Sequence, residues 1–280
     1  MKLETLLDGL VFGEGPRWHE GRLWLSDMHA QTVLTVDLDG KREDVLRVEG
    51  KPSGLGWLPD GRLLVVSMTD RRLLRREPDG SLVTHADLTA LTGGDCNDMV
   101  VDAAGRAYVG NFGFDFNQGE KPQTTCIVRV DPDGTAQVAA TGLRFPNGSV
   151  VTPDGRTLVV GESFGSCLTA FTIGEDGSLS ARREWAKLEG ATPDGICLDA
   201  ENAIWVASPM SNELLRVREG GAVTDRIPTG RQAIACMLGG PDRRTLFALT
   251  AETIRPEEAL AARSARVEIT RVEVPGAGHP

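Results

Sequence analysis

The sequence contains no C-x-x-C pair, no H-x-H or H-E-x-x-H spacing, no P-loop and no G-x-G-x-x-G run leading from a strand into a helix. These absences exclude a zinc ribbon, a zinc site built from the four histidines (His19, His29, His85, His279), and the usual cradles for nucleotide phosphates. The cysteines (Cys96, Cys126, Cys167, Cys197, Cys236) are odd in number, which points to reduced thiols in the cytoplasm rather than a disulfide framework. No run approaches the roughly 20 apolar residues that cross a bilayer. The first residues, MKLETLLDGLVFGEG, carry acids inside their apolar stretch, so no signal peptide is read there. Cations are outnumbered, with 30 Lys+Arg against 40 Asp+Glu and a net charge of −10. Such a chain is a poor partner for nucleic acid and is repelled by anionic membranes. Sustained helical stripes are missing too, and only residues 256–263 (PEEALAAR) read as a helix.

What the chain has in quantity is turns, with 33 glycines and 15 prolines in 280 residues. That length can bury a large core without staples. A turn-and-strand phrase recurs: HEGRLWLSD, PDGRLLVVS, AAGRAYVGN, PDGRTLVVG, AENAIWVAS and PDRRTLFAL. Its third residues are Gly21, Gly61, Gly105, Gly155, Asn202 and Arg243. Each phrase is followed by a second short β-rich stretch, in most units closed by Asp-Gly or Gly-Gly, a hairpin signal. Units of roughly 40–50 residues with several strands each match the period of a propeller. The expectation is all-β: residues 1–280 as one six-bladed β-propeller domain with a central channel, an open solenoid being the alternative. A strand near residues 2–8 precedes the first unit and is expected to pair with the last blade, since closure removes sheet edges. Residues 113–125 and 252–264 read as loops over one end of the channel.

Equivalent positions of different blades face the axis at one depth. Eight residues before the third turn position stand Ser53, Asn97, Asn147, Asp194 and Ala235, and seven before it in the first unit stands Glu14. Four of these six carry an amide or carboxylate oxygen. Asn and Asp beside Gly commonly do no more than make turns. Four in register instead outline an all-oxygen site for a hard divalent cation.

The phrases GEGPRW with Glu14, FPNG with Asn147 and PDGICLD with Asp194 resemble the gluconolactonase/regucalcin (senescence marker protein) family, and the similarity covers nearly the whole chain. The resemblance implies one divalent metal (Ca2+, Zn2+, Mn2+, Mg2+ or Fe2+) held by Glu14, Asn147 and Asp194. It implies Asn97 at a position that contacts substrate and metal-bound water. Many animal-type relatives carry Arg two residues before this Asn, where Asp95 stands here, so an anionic substrate held by that Arg is not implied. The stretch VGNFGFDF resembles a bacterial subgroup and brings Asn111, Phe112 and Phe114 near the channel mouth, as substrate contacts or as loop packing.

Residues 161–165, GESFG, fit the serine-hydrolase elbow G-x-S-x-G, but that elbow needs a helix behind it. Strand-like sequence follows Ser163, and the only later histidine is His279. His29 follows the first inner strand within reach of the channel mouth, but an exposed loop histidine is the expectation there. Cys96 and Cys197 adjoin the candidate ligand loops and read as small buried residues. The expected function is therefore a metal-dependent lactonase, a hydrolase that opens a sugar lactone or related small lactone with metal-activated water, with Asp194 as the general base. The rivals are a non-catalytic metal- or small-molecule-binding propeller, and a metal-dependent esterase or phosphotriesterase-like hydrolase. The expected partner is the small lactone alone, in a cytoplasmic monomer or weak homo-oligomer.

Overall fold

A computed structural model describes residues 1–116 and 118–278. Its strands form six four-stranded antiparallel sheets, the blades of a β-propeller. Five blades are built from consecutive strands, beginning with Gly13–His19, Pro52–Trp57, Cys96–Val101, Pro146–Val151 and Ile196–Leu198. The sixth combines Gln232–Gly239, Thr245–Ala251 and Ala265–Arg271 with the N-terminal strand Glu4–Leu10. Glu4 pairs with Ile269 across that joint, so the ring closes as the sequence implies. Asp27, fully buried in the first blade, secures the seam. Its Oδ1 accepts the backbone N–H groups of Val11 and Phe12 at 3.0 and 2.9 Å.

The turns explain the repeat. Gly21, Gly61, Gly105 and Gly155 all adopt left-handed φ, and Asn202 and Arg243 take the same conformation at φ 59° and 57°. Only glycine adopts it without steric cost, with Asn among the better substitutes. The one α-helix among the described residues, Pro256–Ala262, has Pro at its start and Glu257 and Glu258 in its first turn, where acids complement the helix dipole.

The first strands of neighbouring blades touch one another around the ring, and each is almost wholly buried. The outermost strands carry charge instead, as in Leu179–Lys187 with Arg182, Arg183 and Glu184, which blunts their free edges. The core lies between the blades, where Trp205, Tyr108 and Phe247 are the largest fully buried side chains. All five cysteines are free and buried. No helix among the described residues is long and apolar enough to cross a membrane.

Candidate active site

The innermost strands share an irregularity. The pairing register slips between Glu14 and Arg17, Pro52 and Leu55, Cys96 and Met99, Pro146 and Ser149, and Ala233 and Ala235. A β-bulge re-aims one side chain out of the sheet. The candidate residues sit at these slips, so Glu14, Asn97 and Asn147 lie within their strands rather than ahead of them. Asp194 comes two residues before its strand, held by its N–H to the Ala207 carbonyl at 2.9 Å.

Glycine after the donor brings the blades close. The Gly148 N–H donates to the Asp194 carbonyl at 3.1 Å, and the Gly195 N–H to the Ile234 carbonyl at 2.9 Å. A Cβ on Gly148 would meet the Ile196 nitrogen at 2.5 Å, and one on Gly195 the Ala235 Cβ at 2.4 Å. Only glycine fits such approaches. They fix the backbone of Asn147 directly against that of Asp194.

The result is a cavity of about 590 Å3 that Glu14, Asp95, Asn97, Asn147 and Asp194 all line. Glu14, Asn97 and Asn147 are buried. Asn147 donates its Nδ2 to the Ser163 hydroxyl at 3.2 Å, and that hydroxyl donates to the Pro193 carbonyl at 2.7 Å. This chain orients the amide so that Asn147 Oδ1 is buried without a partner, and Asp194 Oδ1 is in the same state. Asn97 is anchored by its Nδ2 to the Pro146 carbonyl at 3.3 Å. Burial drives the Glu14 carboxyl well above its usual range, reinforced by the negative charges of Asp194 and Asp98 and opposed by the Gly15 N–H and Arg17. Burial likewise raises Asp194 to about 8, against the nearby Asn147 amide and with a further push from Asp98.

Asp95 lines the cavity half-buried, its carboxyl raised by burial first and by Asp115 second. Lys51 is the one lysine or arginine lining the cavity among the described residues. His29 is not an exposed loop histidine: it is half-buried and lines the cavity, with burial and then Lys51 lowering its imidazole to about 4. Asn111 and Phe114 are not on the cavity wall. Asn111 is fully buried, accepting the Thr125 hydroxyl at 2.5 Å and donating Nδ2 to the Cys126 carbonyl at 2.9 Å. Phe114 is buried behind Phe116, Phe145 and Phe164. Phe112, Phe116, Phe145 and Phe164 face the cavity instead.

Ser163 opens a single 3-10 turn, Ser163–Gly165, that runs straight into the strand Cys167–Ile173. No helix stands behind it, so the elbow geometry is absent, and His279 lies outside the described residues. Ser163 acts here through Asn147.

Asp98 and Arg17 also shape the site, though neither is among the positions that the repeat brings into register. Asp98 stands next to Asn97, where Gly15, Gly54, Gly148 and Gly195 follow the equivalent residues of other blades. It is buried against Arg17, whose Nη2 donates to Asp98 Oδ1 at 2.8 Å. The break in the glycine pattern was the signal. Among the described residues no three His, Cys, Asp or Glu side chains form a metal-holding group. The donor set is two carboxylates and one carboxamide.

Residues 12–252 match the family model described as the SMP-30/Gluconolactonase/LRE-like region. A 6-deoxy-6-sulfogluconolactonase from Pseudomonas putida is 29% identical over 281 residues, 96% of this chain and 94% of the relative. The structure of a gluconolactonase from Xanthomonas campestris superposes with a TM-score of 0.77 at 25% identity, covering 98% of this chain and 89% of that one. The calcium-binding regucalcin of Agrobacterium tumefaciens shares the fold, with a TM-score of 0.83 at 22% identity over 99% and 95% of the two chains. With the family model spanning all but the two ends of the ring, the chain belongs to the SMP-30/gluconolactonase/LRE-like family.

Proposed function

We propose that this propeller is a metal-dependent lactonase that opens a sugar lactone or related small lactone in its channel, with Glu14, Asn147 and Asp194 as metal ligands. One observation carries the metal: Asn147 Oδ1 and Asp194 Oδ1 are buried without partners in a cavity that Glu14 also lines. An unsatisfied buried polar atom costs about 1–3 kcal/mol, and the neighbouring carboxylates repel one another. A hard divalent cation relieves both, because such ions take oxygen ligands of this kind. The family, and the likeness to named gluconolactonases, support lactone opening as the reaction.

When bound, the cation supplies Lewis-acid polarisation of the lactone carbonyl and stabilises the negative charge that develops on it. The chain's own groups do the rest. Three ligands leave room for substrate and water. Asp194 has lone pairs enough both to ligate and to accept the proton of the attacking water. Water oxygen bonds to the carbonyl carbon, the ring C–O bond breaks, and the proton held on Asp194 passes to the departing alkoxide. Asn97, fixed through Pro146, orients the substrate. The low-dielectric floor strengthens each of these interactions. A single unit comprising all six blades and a cytoplasmic setting for its free thiols belong to the same proposal.

The test is hydrolysis of a panel of lactones before and after chelation. Activity that a chelator abolishes and a divalent metal restores is expected. Chelator-resistant turnover would remove the metal from the mechanism, and a metal-loaded protein that opens no lactone would sink the enzyme reading.

Two variants probe the surroundings. Ser163→Ala is expected to keep activity within about tenfold of wild type, because it loosens one bond to Asn147, whereas removing a triad nucleophile costs 10³-fold or more. A loss on that larger scale would restore the serine mechanism. Asp95→Arg is expected to raise kcat/KM for acidic lactones relative to neutral ones by about fivefold, the scale of one partly screened charge pair. An unchanged ratio would place Asp95 outside the substrate's reach.

A further inference from the structure

The cavity is polar at its floor, and above it large apolar side chains outnumber the half-buried His29, Lys51, Asp95, Ser166 and Thr192. Phe12, Met28 and Met68 line its wall, and Pro209, Met210, Ile254 and Pro256 its rim. Phe112, Phe116, Phe145 and Phe164 form a continuous aromatic side. Phe112 stacks on Phe145 with centroids 4.4 Å apart, and Phe145 lies 4.7 Å from Phe164. Phe116, Phe164, Met210 and Ile254 remain exposed at 42%, 44%, 75% and 45%. Exposed apolar side chains that converge on one concavity mark a binding surface, whereas scattered ones carry no meaning. Here they come from separate blades and loops, and they open onto the carboxylates rather than onto a flat face.

Phe145 adds a second observation. It adopts φ 59°, a left-handed conformation costly for a bulky residue, and such strain persists where the surroundings enforce it. Its carbonyl accepts the Ser163 N–H at 3.1 Å, and two residues later the chain presents Asn147. The backbone that delivers a ligand oxygen to the floor therefore also holds an aromatic ring on the wall above it.

We infer that the preferred substrate is a neutral lactone carrying an apolar, preferably aryl, substituent, with its ring ester at the polar floor and the substituent against Phe145 and Phe164. The inference rests on the lactonase reading and narrows its substrate. A polyhydroxylated lactone would set some of its hydroxyl groups against phenyl rings, which offer no hydrogen-bond partner. An aryl group gains burial and offset or edge-to-face ring contacts. An anionic substituent finds Lys51 as the one lysine or arginine in the lining among the described residues, opposed by Asp95.

The experiment measures kcat/KM of the metal-supplemented protein for δ-phenyl-δ-valerolactone, δ-valerolactone and D-glucono-δ-lactone. The phenyl compound is expected to exceed δ-valerolactone by about tenfold or more, the usual discrimination of an apolar pocket. Phe164→Ala is expected to bring that ratio near one, and Phe164→Leu, which keeps apolar area, to preserve most of it. Phe164 is exposed, so both variants are expected to fold, and their melting curves check this. Preference for the gluconolactone, or a ratio untouched by Phe164→Ala, overturns the inference. Calorimetry with δ-phenyl-δ-valerolactam, which is not hydrolysed under these conditions, separates the two readings. If no lactone is opened, the proposed activity fails, while lactam binding that Phe164→Ala weakens still upholds the aromatic subsite. Absence of binding overturns it.

Discussion

Asp194→Asn is expected to lower kcat by about 10²-fold or more, even with divalent metal at saturation. The substitution keeps size and one ligand oxygen. It removes a negative charge and the proton acceptor. Metal affinity is therefore expected to fall moderately and turnover far more. Asn147→Ala provides the contrast. It deletes a neutral ligand whose amide is already committed to Ser163, and no base, so excess metal is expected to recover much of its rate. Saturation repairs binding but cannot supply a proton acceptor, which is why the pair separates ligation from base catalysis. The measurement is kcat of both variants at saturating metal, with occupancy read by calorimetry. Wild-type turnover by metal-saturated Asp194→Asn would move the base elsewhere, with Glu14 the next candidate on the same cavity wall.

Arg17→Met is expected to destabilise the fold by about 3–5 kcal/mol, the cost of leaving a buried charge without its partner. Arg17 and Asp98 have side chains only 6% and 5% exposed, beneath the cavity floor. Besides Asp98, the guanidinium donates to the Pro16 carbonyl at 2.8 Å and to the Met99 carbonyl. At roughly 2–4 °C per kcal/mol for a chain of this order, the melting temperature is expected to drop by about 10 °C. Arg17→Met combined with Asp98→Asn is expected to recover a large part of the loss, since the orphaned charge goes with its partner. Additive losses in the double variant would show that the two residues stabilise the floor independently. The effect on the site follows from the same contacts. Arg17 opposes the upward push on Glu14, and Asp98 adds to it on both Glu14 and Asp194.

The ring and its floor are legible in the sequence because a propeller converts period into angle. Asn202 and Arg243 belong to the same turn as four glycines only when the units are aligned, and the structure gives all six the same left-handed backbone. The same alignment gathers Glu14, Asn97, Asn147 and Asp194, and the cavity lies where these four meet. Side-chain direction at the mouth is less legible. In VGNFGFDF the strand Ala107–Asn111 ends at Asn111, which turns inward to Thr125 and Cys126, while Phe112 turns to the cavity. A one-residue change of face decides between burial and contact, and nothing local in the phrase sets it. Phe145, Phe164, Met210 and Ile254 lie far apart in the chain and have no common motif. Their shared surface exists only after four loops are folded over one opening. Asp98 takes the place that glycine holds in four other blades, so the repeat itself predicts no charge there, and its partner Arg17 lies 81 residues away in sequence.

The seam between the first strand and the last blade has a consequence for how this molecule comes into being. Glu4 finds Ile269 and Leu10 finds Ala265, so the pairing spans nearly the whole polypeptide. Closing a loop of that span costs roughly 5 kcal/mol of chain entropy. On the ribosome, at about 5–20 residues per second, the first strand waits on the order of 10–50 s before its partner has even been made. During that interval the strand edge is open to any other β-strand, including the same segment of a neighbouring nascent chain. Phe12, anchored by Asp27, and Glu14, paired with Ser26, are held by contacts local to the first blade, whereas the cavity they line also takes residues from the last blade. A chain truncated before residue 265 would carry five complete blades and lack the strand that pairs with Glu4–Leu10, leaving the ring unfastened.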